Sequence, residues 1–193
     1  MTYFVPSRSR GSGRADRRGP IGTYCRQYGP RWPAASVGSR YMSNDRHGPI
    51  NADLDLTEDR DIRTGVRGDL HVHPGVRVRI KGSYEGSITV DYDGYLVIAG
   101  DCDGRIRKNQ GSIVLAGTVR LPLDASSGIV TVVVGSVLVD PKTGRASRLG
   151  RMGGLTPLRD PHAAPELVSD GQMCVYNRWY GAFDVIGYEE SAE

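Results

Sequence analysis

His71 and His73 stand two positions apart in the run Gly68-Asp-Leu-His-Val-His. On a strand that spacing turns both rings to one side, as metal ligands stand. The surrounding repeat offers no third ligand nearby, so a metal site is not expected. Asp91, Asp93, Asp101 and Asp103 form an acidic surface, but the glycine-rich nonapeptide that binds calcium is absent, and the reading is a solvated face. Asp124, Ser126, Ser127 and His162 are the residue types of a hydrolase triad, without the G-x-S-x-G turn that would present a nucleophile. Neither common phosphate-binding loop occurs. With no catalytic constellation, an enzyme is not expected, nor a cofactor or a small-molecule substrate.

The elements that carry these side chains repeat. Gly68-Asp-Leu-His-Val, Gly86-Ser-Ile-Thr-Val and Gly104-Arg-Ile-Arg-Lys follow one another at one fixed step. Val78 and Leu96, Ile80 and Ile98, Gly82 and Gly100, Tyr84 and Cys102 share that step. Between Leu70 and Lys108 nearly all apolar side chains fall on even positions and polar ones on odd positions, the period of strands with one buried face. A further series at intervals of six, Val72, Val78, Tyr84, Val90, Leu96 and Cys102, divides each 18-residue coil into three short strands. The predicted fold is therefore all-β, a triangular parallel β-helix or β-solenoid of about five coils of 17–18 residues over 50–140. Gly68, Gly82, Gly86, Gly100, Gly104 and Gly117 are assigned to corners, where a positive φ or close backbone approach is needed. An antiparallel sandwich with a hairpin at Asp93-Gly94 would explain the alternation, but not a parity that survives every turn for nearly forty residues.

The ends of this region deviate. Leu54, Leu56, Ile62 and Val66 outline an imperfect first coil, with Ile62 and Val66 one full step before Ile80 and Tyr84. After Lys108 the apolar set moves to odd positions (Ile113, Leu115, Val119), so one residue is lost near Asn109-Gln110-Gly111, at a corner. From Ile129 to Val139 both parities are apolar, which predicts a strand buried on both faces. Ile129, Val133, Val137 and Val139 should then contact another copy of the chain or a strap formed by its own C-terminal segment. Pro141-Lys-Thr-Gly144 closes the repeats. Residues 145–170 read as loop, with a short helical turn at Pro165–Val168. Within 141–193 aromatics gather at Tyr176, Trp179, Tyr180, Phe183 and Tyr188. They are either a partner-binding patch or the strap itself, and the strap is favoured because the bare strand needs a cover.

Residues 1–49 are rich in Arg, Gly, Ser and Pro, and disorder is expected there. Residues 1–50 hold nine arginines against two aspartates, a net +7, whereas the rest holds 16 basic against 20 acidic residues, a net −4. Such a tail contacts nucleic acid or an anionic membrane surface, with Tyr3-Phe-Val5 ahead of Arg8 and Arg10 as an interfacial anchor; an inert solubilising tail is the plainer reading. Met42 is an alternative start directly before the repeats. No apolar run reaches the length of a spanning helix. The three cysteines, Cys25, Cys102 and Cys174, are scattered, which suggests no disulfide framework and a cytoplasmic location, membrane-associated if the tail's anchor acts.

The phrases Gly82-Ser-Tyr-Glu-Gly-Ser-Ile-Thr-Val90 and Leu96-Val-Ile-Ala-Gly-Asp-Cys-Asp-Gly-Arg-Ile106 resemble the bactofilins. The shared pattern is Gly82-x-Tyr84-x-Gly86-x-Ile88 and Gly100-x-Cys102-x-Gly104-x-Ile106; Gly117-x-Val119 begins a third match in which Leu121 replaces the second glycine. The resemblance covers about residues 50–140. It implies a right-handed β-helix that polymerises end to end, without nucleotide, into bacterial cytoskeletal filaments. The chain itself is then the partner. The aromatic C-terminal extension departs from that pattern, because a strap across the last coil would block an end-to-end joint. Other readings are a β-solenoid module of a phage or secreted particle, and an acyltransferase of the hexapeptide class, whose six-residue glycine spacing is not met here.

Overall fold

The computed structural model describes residues 48–123 and 127–186. The basic tail, its anchor, Met42, Cys25, Asp124, Ser126 and Tyr188 lie outside the described residues. Within them the chain is a stack of parallel β coils, as the fixed step requires.

The first coil comprises β1 (Ile50–Asn51), β2 (Leu54–Leu56) and β3 (Arg60–Ile62). The second comprises β4 (Val66–Arg67), β5 (Leu70–Val72) and β6 (Arg77–Ile80). The third is β7 (Tyr84–Val90), which bends across two faces, with β8 (Tyr95–Ala99) on the third face. The fourth repeats this as β9 (Cys102–Asn109) and β10 (Ser112–Ala116); the fifth has β11 (Thr118–Arg120) and β12 (Ile129–Val133), and β13 (Val137–Val139) starts a coil that is not completed.

The register bears out the period. Val66, Tyr84 and Cys102 are stacked partners, as are Leu70, Ile88 and Ile106, and Ile62, Ile80 and Ile98. Their side chains, all under a tenth exposed, form one column of apolar layers. Burying each is worth roughly 1.5–3 kcal/mol. Asp93-Gly94 is a corner between parallel coils and not a hairpin: the flanking strands β7 and β8 pair with the coils above and below.

Close approach fixes the corner residues. A Cβ on Gly82 would stand 2.5 Å from the Gly65 nitrogen, and one on Gly100 would stand 2.6 Å from the Gly82 carbonyl oxygen. A Cβ on Gly117 would collide with the Gly100 carbonyl in turn. Gly68, Gly86 and Gly104 form a second column. There Gly86 and Gly104 also take φ of 152° and 131°, which lets β7 and β9 bend from one face to the next without breaking. A third column, Gly94, Gly111 and Gly128, is one the repeat pattern does not single out; each carbonyl abuts the next glycine.

The slip after Lys108 is two events. Ile88 pairs with Ile106 but Thr89 with Lys108, so a bulge at Arg107 inserts one residue. The following corner is two residues shorter, because Val90 and Tyr95 pair with Asn109 and Ser112. The net loss of one moves the apolar set to odd positions. Asn109 is fully buried at this corner; its Nδ2 donates to the Ile129 carbonyl at 3.1 Å and its Oδ1 accepts from the Gly111 N–H.

Three expectations need correction. Ile129–Val139 is two strands, not one, divided by a turn at Val134–Ser136: Val130, Val132 and Leu138 stack on the inward Ile113, Leu115 and Val119, Val137 is buried on the other side above Thr118, and Ile129, Val133 and Val139 are half-buried. Residues 145–170 are not all loop, because β14 (Ala146–Leu149) and β15 (Leu155–Pro157) form a hairpin. Pro165–Val168 has no helical turn. Its backbone is spent on the last corner, where Glu166 N–H donates to Gly135 O at 2.9 Å and Val168 N–H to Val134 O at 3.3 Å.

Candidate functional site

Three places emerge from this frame: the two ends of the stack, an aromatic hairpin, and a polar column on one face.

The C-terminal end is closed by antiparallel strands. β14 pairs with β13, with Val137 opposite Arg148 and Val139 opposite Ala146. β16 (Met173–Asn177) pairs with β12, with Val132 opposite Cys174 and Val133 opposite Met173, and β17 (Ala182–Val185) completes a second hairpin. The C-terminal segment thus adds edge strands in the plane of the sheets. At the opposite end, β1, β2 and β3 have no strand beneath them among the described residues.

The four aromatic candidates divide. Tyr176 and Phe183 face each other across the β16–β17 pair with ring centres 5.4 Å apart, and Phe183 is buried in the core. Trp179 and Tyr180 occupy the hairpin tip, 79% and 83% exposed. The Arg178 guanidinium lies 4.8 Å from the Trp179 ring centre. The strap reading holds for the first pair, whereas the second pair meets nothing that a fold would need.

The polar column lies on the face built by β2, β5 and the C-terminal halves of β7 and β9. Asp55, His71, Thr89 and Lys108 follow one another up it by register. Strand alternation puts His73 beside His71, ring centres 4.3 Å apart. Asp55 Oδ1 lies 3.1 Å from His71 Nδ1 and 2.7 Å from His73 Nε2. On its other side, His71 Nε2 lies 2.8 Å from Asp91 Oδ2. The second Asp91 oxygen accepts from Lys108 Nζ at 2.7 Å. That bond, and next the one from His71, holds the Asp91 carboxyl below the usual carboxylate value. Beside the column, Arg107 pairs with Asp69 at 2.8 Å. The hydrogen bond with Ser87 contributes most to keeping Asp69 acidic.

The expectation that no third ligand accompanies the histidines is thus overturned. Asp55 supplies it from the coil below. The signal is in the sequence, since Asp55 precedes His73 by one full period, whereas a search along the histidines' own strand cannot find it. Asp91 does not meet His73, its counterpart one period earlier, but bonds His71. Asp103 does stack on Glu85 as its spacing suggests, and Glu85 is neutralised from below by Arg67 at 3.2 Å. Of the hydrolase-type residues, Ser127 Oγ donates to the Asn109 carbonyl and His162 lies in an exposed loop, so these two are not brought together.

No protein-family model, no curated protein and no solved structure matches the chain.

Proposed function

We propose that the protein is a structural scaffold component that joins a second copy of itself through its first coil, without nucleotide, a narrower self-association than the end-to-end polymer that the bactofilin resemblance implies. The observation that carries this reading is the contrast between the two ends. Ile50 and Leu54 donate their N–H groups upward, to Gly65 and Asp69. In parallel pairing alternate residues address opposite neighbours, so Asn51 and Asp55 turn their backbone groups downward, where no described strand receives them. An unpaired edge of this kind is a template for another strand. The antiparallel hairpins at the other end favour one joint per chain, hence a closed pair in place of an open filament.

Sedimentation velocity of the full chain tests this. The expected result is a dimer, and Asn51→Pro, which removes a downward donor and no internal bond, should give a monomer with little change in melting temperature. A wild-type chain that stays monomeric at high concentration would overturn the reading. A concentration-dependent ladder of larger species would instead restore end-to-end polymerisation.

A second reading, a binding module, is favoured by Trp179 and Tyr180 at their exposed tip, since such residues dominate interface hot spots. Replacing both with serine leaves the dimer mass unchanged under the first reading and abolishes partner binding under the second.

A further inference from the structure

The Asp55, His71 and His73 cluster goes beyond a scaffold. One donor atom from each residue lies within 4.8 Å of those of the other two, and Asp55 Oδ1 meets His71 through Nδ1 and His73 through Nε2. Around an ion with bonds of 2.0–2.1 Å, tetrahedral ligand atoms stand about 3.3 Å apart. The observed separations of 3.1 and 2.7 Å from Asp55 need only small shifts to reach that spacing.

The partners of His71 point the same way. Asp91 is a carboxylate tied to Lys108, so it accepts from His71 Nε2. On the other side His71 Nδ1 faces the Asp55 carboxylate. A carboxylate that accepts from the far nitrogen of a ligating histidine is the arrangement that orients imidazoles around metals and raises their basicity. Here it is itself anchored, by Lys108 from two coils above His71.

We propose that Asp55, His71 and His73 bind one divalent transition-metal ion of the zinc class, with Asp91 and Lys108 as positioning residues. Two imidazoles and one carboxylate are borderline donors that suit such ions, whereas magnesium and calcium favour all-oxygen sites. The side chains are 70%, 39% and 33% exposed for Asp55, His71 and His73, so an ion enters from solvent and keeps water in the remaining position. Because Asp55 belongs to the first coil and the histidines to the second, the ion would cross-link the coil whose lower edge has no described strand to the rest of the stack.

The experiment is calorimetric titration of the metal-free full chain with zinc, with cobalt(II) absorption as a second readout. One site per chain is expected, with a melting temperature raised by roughly 5–10 °C at a hundredfold excess over Kd. His73→Gln and Asp55→Asn should each weaken binding at least tenfold. Asp91→Asn should weaken it about 10–100-fold while altering, not abolishing, the cobalt spectrum. His162→Ala should change nothing, and circular dichroism of each metal-free variant verifies the fold. Absence of zinc binding to the wild type would overturn the proposal and leave the cluster as a histidine–carboxylate ion-pair network. Undiminished binding by a His71→Ala/His73→Ala double variant would overturn it equally, by placing the ion elsewhere.

Discussion

The hydroxyl of Tyr84 lies 2.8 Å from the carbonyl of Ser87, inside the coil, and 3.0 Å from that of Gly68 one coil below. The phenol thus spans the inner side of the corner that Gly86 bends around, donating to a backbone carbonyl there. Burial pushes its ionisation upward, so it remains a donor. Tyr84→Phe keeps the packing and leaves that carbonyl without its donor. A loss of about 1–3 kcal/mol is expected in denaturant unfolding; an unchanged midpoint would show that the bond is dispensable.

Gly104→Ala should be among the costliest single-methyl additions in the chain. The new carbon would collide with the Gly86 carbonyl, at a φ of 131° that side chains rarely adopt. Strain and overpacking each cost roughly 1–3 kcal/mol. Gly154→Ala, where nothing lies within 4 Å, should stay within about 0.5 kcal/mol. Equal melting temperatures for the two variants would contradict the corner assignment.

The C-terminal aromatics should separate by stability. Phe183→Ala removes a core ring and is expected to cost about 3 kcal/mol. Trp179→Ala and Tyr180→Ala, at the exposed tip, should each fall within about 0.5 kcal/mol. A large loss at Trp179 would mean that the tip packs against something.

Acid should loosen the cap. Asp140 accepts from the Lys142 and Thr143 N–H groups, and Asp170 accepts from Gln172 N–H and pairs with Arg151 at 2.8 Å. The backbone bond from Lys142 to the first and that from Gln172 to the second are the chief reasons both carboxyls lie below their ordinary value. A depressed folded value means that the contribution is present above the unfolded pKa, about 3.9, and is lost as pH falls through the folded one. Amide exchange in β14–β17 should therefore accelerate, relative to its intrinsic rate, below about pH 4. Asp170→Asn should bring part of that acceleration to neutral pH. Protection in β14–β17 that is unchanged across that range would refute the idea.

The stack is legible in the sequence because inward residues such as Ile80 and Ile98 repeat at the step of the pairing itself. What stays hidden lies where the step changes. The bulge at Arg107 delivers Lys108, in place of Arg107, to the column above His71, and a uniform step cannot show it. β2 and β5 are closer in sequence than one full period, as the pairing of Leu54 with Leu70 shows. That shorter step conceals Asp55 beneath His71, although its distance from His73 keeps the full period. The β14–β15 hairpin escapes a pattern search because Leu155, Thr156 and Pro157 are all exposed and carry no alternation. The run 129–139 misleads because a turn at Val134–Ser136 divides it into two short strands on different faces of the stack. A count of apolar positions cannot distinguish that from a strand buried on both faces.

The antiparallel closure also bears on how such a chain can lengthen. A new coil cannot be appended after β12 and β13, because β16 and β14 already occupy their edges in the opposite direction. Gene duplication could extend the molecule from within, by copying a whole period between β5 and β9, where Gly86 and Gly104 already mate as interchangeable steps. The polar column would tolerate such an insertion only above Lys108, since a copy placed below the histidines' coil would part Asp55 from His71 and His73, and one placed between the histidines and Lys108 would part Asp91 from one of its two partners.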